Sequence, residues 1–177
     1  MKKKIKIVGR VLLIVVVVFA ALAVFRVARI QTYFLGLHTE FFDGKHTEAY
    51  LPPTPSDYFT AQKVLKTADE AFGVIENSDD YQQLKSDMEK KYGKLARYCV
   101  LNYSDAVSEE HDLSLLTANF KDDSGYMWVA YYHTAYDKDG KVTYGSGGSN
   151  VSDRVPARWE LKKKDGEWTV VGIIEHP

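Results

Sequence analysis

Residues 159–173 read WELKKKDGEWTVVGI, two runs of alternating apolar and polar side chains on either side of one Asp-Gly pair. Asp165-Gly166 is the dipeptide that fits a two-residue primed turn, in which both central residues need a positive φ. With that turn as the tip, Lys163 faces Trp168, Leu161 faces Val170, Trp159 faces Gly172 and Ala157 faces Ile174. Side chains alternate along a strand, so the register predicts Val155, Trp159, Leu161, Trp168, Val170 and Ile174 on one face. Arg158, Glu160 and Lys162 fall on the other. The first set is a core and the second a solvated surface, with Gly172 making room for the Trp159 indole.

The same period of two extends upstream. After Asp112, residues 113–120, 126–136, 141–145, 155–163 and 167–174 alternate, and KDDSG, DKDG, SGGSNVSD and KDG separate them. Asp139-Gly140 predicts a second tight hairpin. Before Asp112 the period is close to four. From Asp57 onward Phe59, Val64, Leu65, Ala68, Ala71, Phe72 and Ile75 form one helical stripe, opened by the cap signal at Pro55. Tyr81, Leu84, Met88, Tyr92, Leu95 and Cys99 form a second, after the stop and cap in NSDD at 77–80. Helices followed by a strand meander are the order of an α+β domain, with the helices packed on one face of a curved antiparallel sheet of about five strands.

The first thirty residues differ. They hold seven Lys and Arg and no acid, which leaves 16 basic against 24 acidic residues in the remainder, a net of about −8. A body of that sign repels nucleic-acid phosphates, so a nucleic-acid role is excluded from the expectations. Residues 11–25, VLLIVVVVFAALAVF, are apolar without interruption. Snorkelling by Lys6, Arg10, Arg26 and Arg29 extends the run toward the ~30 Å of a hydrocarbon core. Five basic side chains before the run and two after it place the amino terminus in the cytoplasm and the body outside. Ala21, Leu22 and Ala23 have the form of a signal-peptidase site, but the apolar helix continues beyond them, which favours an uncleaved anchor. The chain thus divides into residues 1–30, a cytoplasmic tail and signal anchor contacting the membrane through 5–30; 31–55, a juxtamembrane and Pro-rich linker; and 56–177, the extracytoplasmic domain. With Cys99 the only cysteine, neither a disulfide nor a lipid-linked amino terminus is available. An anchored, disulfide-free domain of this kind points to a bacterial cell membrane.

The helix pair joined at Asn77–Asp80, the sheet that follows and the closing hairpin with Trp168 just after its Lys-Asp-Gly turn resemble the NTF2-like (cystatin-like roll) superfamily over roughly residues 56–174. The resemblance implies a cone-shaped sheet whose mouth binds small molecules in some enzymes and whose outer face binds proteins in many other members. Many bacterial members similar to this chain carry a single amino-terminal span.

Function is read from the longest strand. Tyr126, Trp128, Tyr132 and Tyr136 share one face, and Met127, Val129, Tyr131 and His133 share the other. With the second set turned to the helices, the first becomes an exposed aromatic row, and Tyr and Trp are what protein interfaces select. That row is the expected partner surface, Tyr131 and His133 the candidate pocket residues. A catalytic role would need His133 as general base and Tyr131 as oxyanion donor, but no second chemical group has a spacing that commits it, and no catalytic residue is assigned. His38, His46, His111, His133 and His176 show no paired ligand spacing, so neither a metal nor a cofactor is expected. The expectation is a membrane-tethered protein- or ligand-binding module without catalytic activity, for which the acidic body would suit a protein partner of basic character, with a homodimer through the sheet as a further expectation. Two alternatives are an envelope assembly component resembling the VirB8 family, without that family's Asn-Pro-x-Gly signature, and an immunity protein against a secreted toxin. A third is a small-molecule enzyme using the cone.

Overall fold

The computed structural model describes the backbone of residues 2–35, 49, 51–150 and 153–175, and the side chains of 9–25 and of the residues from 49 onward within that set. Contacts divide the chain into two compact units, Met1–Pro52 and Pro53–Pro177. The first unit holds one continuous helix, α1 (Lys2–Leu35). Its described side chains, 9–25, are all exposed, Phe19 to 68%. Seventeen residues rise about 26 Å, and among the described residues no helix is long and apolar enough to cross a membrane. Of the expected juxtamembrane segment and linker, 31–55, residues 31–35 continue α1, and 36–48 and 50 lie outside the described residues.

The second unit is α+β. It runs α2 (Pro55–Phe72), β1 (Ile75–Glu76), α3 (Tyr81–Tyr92), a 3-10 helix (Gly93–Tyr98), β2 (Val100–Leu101), β3 (Ser108–Lys121), β4 (Ser124–Tyr136), β5 (Val142–Ser146), β6 (Val155–Lys164) and β7 (Glu167–Glu175). The five long strands form one antiparallel sheet. β4 lies at its centre, paired with β3 on one side and with both β6 and β5 on the other, and β7 closes the edge beyond β6.

Local chemistry explains most boundaries. Thr54 caps α2 through its hydroxyl, which accepts from Asp57 N at 3.2 Å, with Pro55 at the first helical position. Asp57 then reaches across to accept from Phe120 N at 3.2 Å and ties the helix start to β3. Asp80 caps α3 by accepting from Gln83 N at 2.9 Å. Asp165 (φ 52°) and Gly166 (φ 86°) form the primed turn expected of them. Asp139-Gly140 does not: Tyr136 pairs with Val142, so the link has five residues, organised by Asp137, whose carboxylate accepts from Asp139 N and Lys141 N. The tight turn is instead at Asp122-Asp123, between the paired Lys121 and Ser124. β3 also begins at Ser108, five residues earlier than the alternation predicts.

The core lies between the helices and one face of the sheet. Val64, Phe72, Leu84, Tyr92, Trp159 and Val170 all belong to it. Three members of the expected helical stripes do not: Phe59 is 68% and Tyr81 41% exposed, and Ile75 lies beyond the helix in β1, packed on a second small cluster with Val100. The closing hairpin follows the expected register as far as Leu161 opposite Val170, and then a bulge at Glu160/Leu161 displaces it. Gly172 therefore faces Glu160, not Trp159, and Trp159 faces Ile173. One extra residue reverses the faces beyond it, so Ile173 packs on the core and Ile174, expected inside, is 46% exposed.

Sequence periodicity misses the small second sheet. β1 and β2 pair in parallel, Ile75 with Val100 and Glu76 with Leu101. Asn102, in the left-handed region at φ 58°, stitches the pair to the next turn: its side chain accepts from Ser78 N at 2.8 Å and donates to Ser78 O at 3.0 Å.

Candidate functional site

β4 is buried on both faces from Met127 to His133, which decides the fate of both sets of expected site residues. On the inner face Tyr131 is 2% exposed and is drawn into a polar cluster. Its hydroxyl donates to Glu175 Oε1 at 2.8 Å, and the Tyr98 hydroxyl donates to the same oxygen at 2.9 Å. Trp159 Nε1 donates to Tyr98 Oη at 3.1 Å, and Arg97 Nη2 donates to Glu175 Oε2 at 2.7 Å. One carboxylate, 21% exposed, thus receives three donors, which replace most of the water it gives up. Burial pushes both phenols above their ordinary range, and the nearby Glu175 charge adds to it. A phenol held this way is a structural donor. Tyr98 and Glu175 escaped the sequence reading because they lie 33 and 44 residues from Tyr131 and have no patterned spacing to it.

His133 is fully buried among the rings of Phe72 (5.0 Å between centroids), Tyr144 (5.3 Å) and His111 (5.9 Å). Neither ring nitrogen has a hydrogen-bond partner among the described residues. Glu109 Oε2 stands 3.8 Å from Nε2, but it is already held by His111 Nδ1 at 2.7 Å. His111 Nε2 in turn meets Asp69 Oδ1 at 3.0 Å. Burial, reinforced by repulsion from His111, lowers the His133 pKa to about 4. For His111 burial pulls downward, but the Glu109 and Asp69 carboxylates together outweigh it and raise the pKa.

The two histidines bend stability in opposite directions. The unfolded chain protonates His133 near 6.5 and the folded chain only near 4, so its contribution to stability is lost as pH falls through that window. The His111 contribution is present below 6.5 and is lost as pH rises through its raised value. A urea-midpoint series from pH 7 to pH 4 should show His133→Phe losing less stability than the native chain, by on the order of 3 kcal/mol at pH 4. Parallel curves for the two proteins would mean that His133 is not buried in its neutral form.

The outer face requires a correction. Trp128 is 0%, Ala130 1% and Tyr132 8% exposed, so the expected aromatic row is not an open surface. Arginine and carboxylate groups engage it. The Arg158 guanidinium lies 5.0 Å from the Tyr126 ring centre and donates to Glu160 at 2.6 Å. Arg154 lies 5.6 Å from the Tyr132 ring, pairs with Asp112 and donates to Ser114 at 2.6 Å. The Tyr132 hydroxyl donates to Glu110 Oε1 at 2.8 Å, and Tyr136 reaches the other oxygen at 3.4 Å. Only Tyr126 and Tyr136 of the four are partly exposed. Trp128 and Tyr132 are closed to a partner or a second copy as the chain stands.

What is open lies elsewhere. A cleft of about 880 Å³ runs between α3 with the 3-10 helix and β7, and reaches β2 and β5. That is the size of a small-molecule site. Ala96, Cys99, Leu101, Val170 and Ile173 supply its apolar lining, with Tyr81, Tyr103 and Tyr144 as aromatics. The Tyr103 and Tyr144 rings meet edge to face at 5.3 Å. Lys85, Lys94 and Arg97 bring positive charge against one acid, Glu89. Gly93 makes the geometry: at φ 60° it ends α3, and a Cβ there would approach the Thr169 methyl on β7 to 3.4 Å. The chain re-enters as a 3-10 helix, which turns Lys94 and Arg97 to line the same cleft as Lys85. Cys99, which its spacing put on the apolar stripe of the second helix, is half-buried in this wall. Burial, then the Glu76 charge, pushes its thiol up to about 11, so it is protonated and a poor nucleophile at neutral pH.

No protein-family model matches the chain, and no curated protein matches it in sequence. Among the described residues no three His, Cys, Asp or Glu side chains group as metal ligands; His38, His46 and His176 lie outside the described residues.

Proposed function

We propose that this chain is a membrane-tethered, extracytoplasmic, non-catalytic binding module of the NTF2-like type, and that it binds in the cleft between α3 and β7. One contrast carries the reading. On the inner face the Tyr98 and Tyr131 hydroxyls are both spent on Glu175, whereas the cleft beside them is open and lined by aromatic, aliphatic and cationic side chains. Polar groups that close on themselves serve stability; an apolar hollow with a few free charges at its edge serves recognition. For the tether, the support is the continuity of α1 and the exposure of its apolar side chains at 9–25, which is unfavourable in water and suited to lipid.

The cationic cleft favours an anionic occupant, whereas the basic toxin of an immunity pair would have to dock on the acidic remainder of the body. No feature of the described residues favours the assembly or enzyme alternatives over simple binding.

A photo-reactive amino acid placed at Tyr103 in the full chain, in intact cells, tests this reading. The adduct is expected from Tyr103 but not from Lys138, which lies in the exposed loop between β4 and β5, and the adducted chain should remain in the membrane fraction after a carbonate wash. Equal labelling from both positions, or none from Tyr103, overturns the cleft as the site. Release of the chain by carbonate overturns the tether.

A further inference from the structure

The cleft's charge runs against that of the unit that contains it. Residues 53–177 carry fifteen Lys and Arg against twenty-one Asp and Glu, a net of six negative charges. Yet the cleft gathers Lys85, Lys94 and Arg97 with Glu89 as the only acid in its lining. Lys85 and Lys94 are exposed and make no ion pair among the described residues, in contrast to Lys90, which is paired with Asp87 at 3.1 Å on the same helix. Arg97 spends Nη2 on Glu175 and holds its other nitrogens without a protein acceptor among the described residues. A cationic group anchored to a partly exposed carboxylate at one end and open at the other is held in place for an anion, at little further entropic cost. The lining beside it is apolar: Ala96, Leu101, Val170 and Ile173, closed by the Tyr103–Tyr144 pair.

Charge at the edge and hydrocarbon on the floor are the two halves of one ligand description. We infer that the cleft binds a small amphiphile, a single carboxylate or phosphate group on an apolar body, with Lys85, Lys94 and Arg97 taking the anion and the Tyr103–Tyr144 wall and the β7 face taking the apolar part. This rests on the cleft being the binding site, as proposed above. A volume of about 880 Å³ suits a molecule of that size and not a folded partner.

The ligand can come from free solutes or from lipid, and the test separates the two. The full chain is reconstituted in nanodiscs of phosphatidylcholine alone, and a fluorescent dansyl fatty acid is titrated in. Saturable binding at one site per chain is expected, with displacement by dodecanoate and by dodecyl phosphate at least tenfold better than by 1-dodecanol. Lys85→Glu with Lys94→Glu should weaken binding at least tenfold, while Lys138→Glu with Lys162→Glu, the same charge change away from the cleft, should leave it unchanged. Nanodiscs containing phosphatidylglycerol should leave the affinity unchanged for a free-solute site, and should compete with the probe if the anion belongs to a lipid headgroup. Displacement by dodecanol as effective as by dodecanoate, or equal loss in the two double variants, overturns the inference. So does the absence of saturable binding. If the amphiphiles fail while the Tyr103 photo-adduct proves to be a protein, the cleft remains a binding site and only its ligand class is wrong; if both fail, the binding reading falls with it.

Discussion

Trp159→Ala is expected to destabilise the α+β unit by about 3–5 kcal/mol, a large share of the roughly 5–15 kcal/mol that holds a domain folded. The indole is 0% exposed, packs on the Tyr98 ring at 5.9 Å and donates its N–H to the Tyr98 hydroxyl. Truncation removes apolar area, opens a cavity and withdraws one of the bonds that organise the cluster around Glu175. Lys162→Ala, three residues along and exposed on the opposite face, should stay within about 0.5 kcal/mol. Urea unfolding of the two variants side by side decides the matter. Equal midpoints would mean that the closing hairpin is out of register and that its core face has been misassigned.

Trp128→Ala carries the second large effect and divides two accounts of the sheet. On an exposed aromatic row the substitution would cost a partner about 2 kcal/mol or more of binding and the fold almost nothing. The indole is instead fully buried at the centre of the sheet, between Thr117 on β3 and Arg158 on β6, so a loss of about 3–5 kcal/mol of stability is expected. Tyr136→Ala, near the end of the same row and partly exposed, should lose less than about 1 kcal/mol. A Trp128→Ala chain that melts like the native one would restore the row as a surface.

These two tryptophans show where the sequence is legible. Around Trp159 the alternation, the Asp165-Gly166 turn and the charged residues between the apolar ones agree, and the α+β order and the core face follow from them. Trp128 is different, because alternation says which side chains share a face and is silent about what covers that face. The hairpin register fails for another reason. The bulge opposite Leu161 depends on how β7 fits β6, and Gly172, read as space for an indole, marks instead a close approach to Glu160, whose Oε2 a Cβ would meet at 3.2 Å. The cleft was the least legible feature. Lys85 and Lys94 read as the solvent face of an amphipathic helix, and they come together with Arg97 only because Gly93 breaks α3 and the chain continues as a 3-10 helix with fewer residues per turn. Tyr103 and Tyr144, forty-one residues apart in the chain, join them. No periodicity within one element encodes that meeting.

The central claim is that recognition takes place in the cleft between α3 and β7, beside an interior cluster in which Tyr98 and Tyr131 are closed on Glu175. Its most direct test is an experimental structure of the full chain extracted from its own membrane without delipidation. The account predicts density for a small molecule in the cleft, its anionic end within hydrogen-bond distance of Lys85, Lys94 or Arg97, with the Tyr98–Glu175–Tyr131 cluster intact and His133 out of reach. An empty cleft beside an occupant that touches His133 or Tyr131 would contradict it.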